Sequence, residues 1–315
     1  MATGIGIGGK FAFAFESPAG TEVSRSLAMR VKSCTLQTKA TNTVVEDLSA
    51  FANGPTETVQ TARDVAGTIE GNASYDKNML GMILKWVLGS VAESGAGPYV
   101  HTFSPGSLPS ATGEFLRGAN DLSTEEFYGL YAKALTLTLE AGKLAALSLE
   151  TVGFTSGTRG TQTLPTLSNG GTYINGSHVP GIVFAGTTYA CRKITLRINN
   201  GLEALRDLGS LSVTEVVRAA RLEVTVECEL TKRSMALYTA MRANTTGTLA
   251  FTATSGTNVL AFSSPVAFIE DQADPVDGPG VTIERVRFRC LADAAGTTAI
   301  CSVALTNGDS TYDAS

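Results

Sequence analysis

The tripeptide Thr68-Ile69-Glu70 returns as Thr225-Val226-Glu227, and each copy follows a related segment. In the first half that segment is Cys34-Thr35-Leu36-Gln37-Thr38; in the second it is Ile194-Thr195-Leu196-Arg197-Ile198. Thr35 precedes Thr68 by 33 residues, and Thr195 precedes Thr225 by 30. Each copy then runs into a short helical pattern and a closing hairpin. A repeated order of elements constrains the fold more than scattered identities do, because one supersecondary unit is being written twice. The expected organisation is a first β-rich domain over 1–154, a linker over 155–180 rich in Ser, Thr, Gly, Asn and Pro, and a second β-rich domain over 181–315. A chain of 315 residues is long enough for two domains of ordinary size. Such a duplication suggests a building block rather than an enzyme built around one pocket.

The local patterns agree with an all-β class. Phe and Ala alternate in Lys10–Phe15, which predicts a strand with one bulky face, and Ser17-Pro18-Ala19-Gly20 predicts a turn. Residues 27–38 and 59–74 read as strands separated by a long polar excursion, 39–58. At Asp76 the period changes. Met79, Leu80, Ile83, Leu84, Val87 and Leu88 fall on one face of a helix, with Asp76 as N-cap and Gly89 at the C-terminal end. Leu135, Leu137 and Leu139 alternate with threonines and return through Leu147 and Leu149, a hairpin. In the second half, Asn199–Glu215 is again an excursion, and Met235, Tyr238 and Met241 predict a shorter helix. The second copy is expected to close with a hairpin pairing 283–291 with 297–305. The fold class is therefore all-β with minor α: tandem β-sandwich or β-barrel modules, each with a short flanking helix.

Composition and motifs exclude several functions. The formal net charge is −5 and no basic stripe marks a nucleic-acid grip. The opening residues are expected to carry no secretory signal, and the apolar run 79–87 is short and interrupted by Lys85, so no membrane span is expected. Five cysteines show no Cys-x-x-Cys pair and read as small buried thiols, with Cys290 and Cys301 expected as neighbours across a turn. Gly4 to Lys10 has the spacing of a phosphate loop, but Phe11 stands where Ser or Thr would hold Mg²⁺, and no helix pattern follows. His101 and His178 have no metal-ligand companions at useful spacing; His101 reads as structural, and His178, in the linker, as solvated. Glu125-Glu126 is a pair in sequence only, since neighbours on a strand point to opposite faces, and a solvated loop is the default reading. No catalytic, cofactor-binding or metal site is expected.

Glu70 and Glu227 occupy equivalent positions in the two copies. They read either as solvent-facing strand residues or as acids at a subunit contact or channel wall. The excursions carry Glu46, Asp47 and Phe51 in the first copy and Leu205 and Leu208 in the second. They are candidates for ring-to-ring contacts, with ordinary flexible loops as the alternative.

The arm ending in Glu16-Ser17-Pro18-Ala19-Gly20-Thr21 resembles the opening of tail tube (major tail) proteins of long-tailed bacteriophages. So do Val65 to Asn72, the apolar helix, and His101-Thr102-Phe103-Ser104-Pro105 with Leu108-Pro109-Ser110. The resemblance implies a module whose strands join six to a ring around a continuous barrel, the rings stacking into a conduit for DNA. Two modules per chain imply a three-chain pseudo-hexameric ring, with a six-chain ring as the alternative. It further implies a place in the virion tail, assembly in the host bacterial cytoplasm, and tape-measure, terminator and tail-tip partners. DNA would pass through the bore without specific binding. The competing readings are another tail ring component, such as a terminator or baseplate ring, and a β-sandwich carbohydrate-binding or adhesion module. A lone Trp86 on a helix disfavours the last of these.

Overall fold

The computed structural model describes residues 9–45, 57–117, 124–157, 164–167, 171–275, 281–293, 295–296 and 298–312. Strand dominates them, with two short α-helices. The first half carries β1 (Lys10–Phe15), β2 (Leu27–Arg30), β3 (Ser33–Cys34), β4 (Gln37–Val45), β5 (Glu57–Asn72), helix α1 (Met82–Leu88), β6 (Gly89–Ser94), β7 (Tyr99–Pro105), β8 (Ala111–Leu116), β9 (Thr124–Glu140), β10 (Ala146–Gly153) and β11 (Thr155–Ser156). The second carries β12 (Ile182–Phe184), β13 (Thr187–Tyr189), β14 (Cys191–Asn199), β15 (Leu202–Leu205), β16 (Glu215–Arg218), β17 (Glu223–Thr231), helix α2 (Ala236–Arg242), β18 (Thr246–Ser255), β19 (Asn258–Ala273), β20 (Ile283–Leu291) and β21 (Ser302–Asn307).

The pairings repeat. In the first half the order is β4-β5-β10-β9, and in the second it is β14-β17-β20-β19. The register repeats as well: Ile69 faces Leu149, which faces Leu135, while Val226 faces Phe288, which faces Ile269. The flanking β2-β1-β8 ribbon on β9 matches β13-β12-β18 on β19. Among the described residues, the pair β6–β7 has no counterpart in the second half.

The two sets of four are joined edge to edge. β9 pairs antiparallel with β14, Leu135 opposite Ile198 and Leu137 opposite Leu196. The result is one eight-stranded sheet, β4-β5-β10-β9-β14-β17-β20-β19. Period-two alternation sends one set of side chains inward: Ile69, Leu149, Leu135, Ile198 and Val224 form a continuous apolar row.

Helix α1 lies in this core and explains its own sequence. A π-helical turn, Lys77–Gly81, precedes it, and the Asp76 carboxylate accepts from the Asn78 amide as the expected N-cap. Gly89 ends it at φ +90, where a Cβ would come within 2.3 Å of the Ser107 carbonyl oxygen. The expected single apolar face is a correction: Met82, Ile83, Leu84, Trp86, Val87 and Leu88 are all buried, so layers close on it from every side. Trp86 stacks on Phe13 at 5.2 Å and donates its indole N–H to the Leu130 carbonyl. Asn200, from the second half, donates to the carbonyls of Val87 and Ala132 at 2.8 and 3.0 Å. Buried carbonyls need such partners, so this side chain fastens the end of α1 to the junction of the two halves.

Two further expectations are corrected. β20 and β21 do not pair with each other; β19, 16 residues long, takes β20 along 266–273 and β21 along 259–263. The hairpin equivalent to β9–β10 is thus β19–β20, displaced by one strand from the expected one. His178 is half-buried rather than solvated. Its Nδ1 lies 3.2 Å from the Tyr75 hydroxyl, and the 155–180 segment also buries Ile174, which bonds back to Ala73.

Candidate assembly surface

The sheet's second face carries the polar half of the alternation. One row runs across the sheet from β3, beside β4, to β19: Ser33, Glu70, Ser148, Thr136, Arg197, Thr225, Arg289 and Phe268. The register thereby puts Glu70 and Glu227 on this same face, at equivalent positions of the two halves and both exposed. Glu70 accepts from the Ser33 hydroxyl at 2.6 Å. Glu227 lies 3.7 Å from Arg287.

Arginine on this face is matched by glutamate. Arg197 meets Glu150 at 3.3 Å, Arg285 meets Glu229 at 3.8 Å, Arg287 also meets Glu270 at 3.1 Å, and Arg289 meets Glu270 at 2.9 Å and Glu223 at 3.5 Å. Each pair is solvated and stabilises the fold little by itself. Together they leave the face without a free arginine stripe, and phosphate affinity depends on such stripes.

The sheet has two open edges. Among the described residues, β3 and β4 pair only with β5, and residues 269–273 of β19 pair only with β20. The corresponding stretch of β9, residues 134–140, is the one covered by β14. The chain therefore satisfies inside itself the same contact that it leaves unmade at its two ends. Unpaired edges invite strand addition.

The excursions prove to be ordered ribbons where they are described. β4 and the first half of β5 form a two-stranded arm about 25 Å long beyond the end of β10. The β15–β16 ribbon and its connecting loop lie against that arm: Arg63 donates its amide to the Leu211 carbonyl, and Arg206 bridges to Asp64 at 2.6 Å. Leu205 is exposed and Leu208 fully so; Val44, Val59 and Leu211 are exposed as well. Glu46, Asp47 and Phe51 lie outside the described residues. At the opposite ends of the strands, Leu144, Met235 and Val281 are exposed.

Little here suggests small-molecule chemistry. Among the described residues no group of three or more His, Cys, Asp or Glu is arranged to hold a metal ion. No helix among the described residues is long and apolar enough to cross a membrane. All five cysteines are free, and burial pushes the Cys34 and Cys290 thiols up to about 11 and Cys301 up to about 12. Glu125 and Glu126 are a correction: they are buried on opposite faces of β9 rather than solvated in a loop, and each is near an arginine, Arg117 at 2.6 Å from Glu125 and Arg25 at 2.8 Å from Glu126.

A family model described as phage tail tube protein matches residues 6–290. The chain belongs to the phage tail tube protein family. That membership makes it a structural component of the phage tail rather than a member of an enzyme family, and it spans both halves of the repeat. No curated protein matches the chain. Residue patterns could not reveal the sheet's two open edges. Open edges depend on which strands pair, and the sequence pattern names the strands without pairing them.

Proposed function

We propose that this chain is the major tail tube subunit, and that three copies close through their sheet edges into a pseudo-hexameric ring. The observation that carries the reading is the repeated junction. β9–β14 joins the two halves of one chain, and the open edge of β19 would meet β3–β4 of the next chain with the same polarity. The duplication into two modules, 1–154 and 181–315, makes six modules from three chains. A head-to-tail contact of this kind closes when its rotation permits.

The strand count supports three chains. The eight strands from β4 to β19 in each chain would give a 24-stranded wall, and with ordinary strand spacing and tilt its backbone diameter would be about 45–50 Å. A six-chain wall would be about twice as wide, far more than a DNA duplex fills. The polar face, with Glu70 and Glu227, would line the bore, where balanced charge lets DNA pass without specific binding. The β4–β5 arm and Leu205 and Leu208 would meet the next ring, whose facing end offers Leu144, Met235 and Val281. Tape-measure, terminator and tail-tip proteins would set the length and ends of the tube, assembled in the host bacterial cytoplasm.

Negative-stain microscopy with mass photometry tests the reading. Hollow tubes are expected, with a ring mass three times the 32.7 kDa of the chain. Single rings that never stack would indicate a terminator or baseplate component instead. A monomer at every concentration, with tail-tip components added, would overturn the proposal. Leu208→Glu separates ring formation from stacking. It places a charge on the fully exposed leucine, so rings of unchanged mass are expected while tube length falls at least tenfold.

A further inference from the structure

Residues 302–312 do more than finish the second sheet. β21 pairs on one side with β19, Val303 opposite Phe262, and on the other with β7, Val303 opposite Phe103. It stands where β11 stands in the first half, but β11 has only two residues and, among the described residues, pairs with β9 alone. The chain then turns, and Tyr312 is completely buried against the first half. Its ring lies 4.1 Å from His101 and 5.5 Å from Phe103. Gly81 makes the room: a Cβ there would come within 2.0 Å of the tyrosine ring.

Polar contacts surround this plug. Lys85 Nζ donates to the Tyr312 carbonyl at 2.7 Å, and the Tyr312 amide donates to Glu93 Oε1 at 2.7 Å. Asn307 donates to the Tyr75 carbonyl and to the Tyr312 hydroxyl. His101 Nε2 donates to the Asp309 carbonyl at 2.8 Å, and the Lys77 amide donates to Asp309 Oδ2. Three sequence features thereby gain a reason: a glycine before α1, a lysine on an otherwise buried helix, and a fully buried histidine. The segment lies beyond the span that matches the family model.

We propose that residues 302–312 form a clasp, seated in a groove built by the 77–88 helical segment, β6 and β7, that locks the first half to the second. By filling the space between β7 and β19 it also covers two strand edges. Two edges that could compete with those used in the ring are thereby taken; this last step alone rests on the tube reading. Uncovered edges would pair indiscriminately.

Hydrogen exchange on the unassembled full-length chain tests the clasp without requiring tubes. Tyr312→Ala is expected to speed exchange at least tenfold in both 77–88 and 99–105, while β10 and β14 stay within twofold of the parent. Tyr312→Phe keeps the ring and the backbone contacts and is expected to stay within twofold throughout. Should the alanine variant fail to fold, Tyr312→Leu, which partly fills the site, is expected to show the same pattern at lower amplitude. Acceleration confined to 308–312 in the folded variants would overturn the proposal, whatever the microscopy shows.

Discussion

A Ser33→Cys/Ala273→Cys double variant, mildly oxidised while assembled, is expected to run as covalent species of two and three chains and nothing larger. The positions follow from the internal junction. Matching Leu149 to Phe288 and Leu135 to Ile269 carries the β9–β14 contact onto the open edge of β19. It sets Leu36 of the next chain opposite Ile269. Past the register shift between Ile269 and Asp271, it sets Ser33 opposite Ala273. Directly opposed strand residues have the spacing a disulfide needs. Each single variant should remain monomeric in denaturing gels. Closure at three chains would establish both the edge and the symmetry, and closure at six would establish the edge and overturn the symmetry. Uncrosslinked chains from preparations that contain tubes would sink the edge contact altogether.

Glu227→Gln/Glu270→Gln should convert an inert polar face into a DNA-retaining one. These two carboxylates sit beside Arg287 and Arg289. Neutralising them leaves Arg287 without its acid partners and Arg289 with Glu223 alone. Each arginine that then contacts a phosphate adds about 0.9 to the salt slope of binding. Two per chain give about a tenfold loss of affinity between roughly 50 and 200 mM salt, a signature absent from the parent. Filter binding of short duplexes to assembled tubes measures it. Equal binding by parent and variant would mean that the glutamates mask nothing or that the face lies outside the bore.

The sequence revealed the strands better than their partners. Thr68-Ile69-Glu70 and Thr225-Val226-Glu227 do occupy matching places, because alternation alone fixes which side chain is buried. The companion segments match differently from their spelling: in the pairing, Cys34 corresponds to Leu196 rather than Ile194. A shift of two residues keeps every side chain on its face, so period-two patterning cannot detect it. The same limit explains the misplaced closing hairpin, since β20 and β21 both suit β19 and a 10-residue connection hides the choice. Leu205, Leu208, Glu70 and Glu227 were legible as candidates because exposed leucines in a polar loop and repeated acids stand out locally. Gly81, Lys85, His101 and Tyr312 were not: their meaning depends on a contact across more than 200 residues, for which local sequence carries no signal.

The β9–β14 contact forms between parts of one polypeptide, at an effective concentration set by the chain that joins them rather than by the number of molecules in the cell. Half of the junctions in a six-module ring would then exist before any two chains meet. Nucleation would need three bodies to converge instead of six. The concentration at which tubes first appear would respond to changes at β3 and β19, whereas equivalent changes at β9 and β14 would be felt earlier, during folding of the isolated chain.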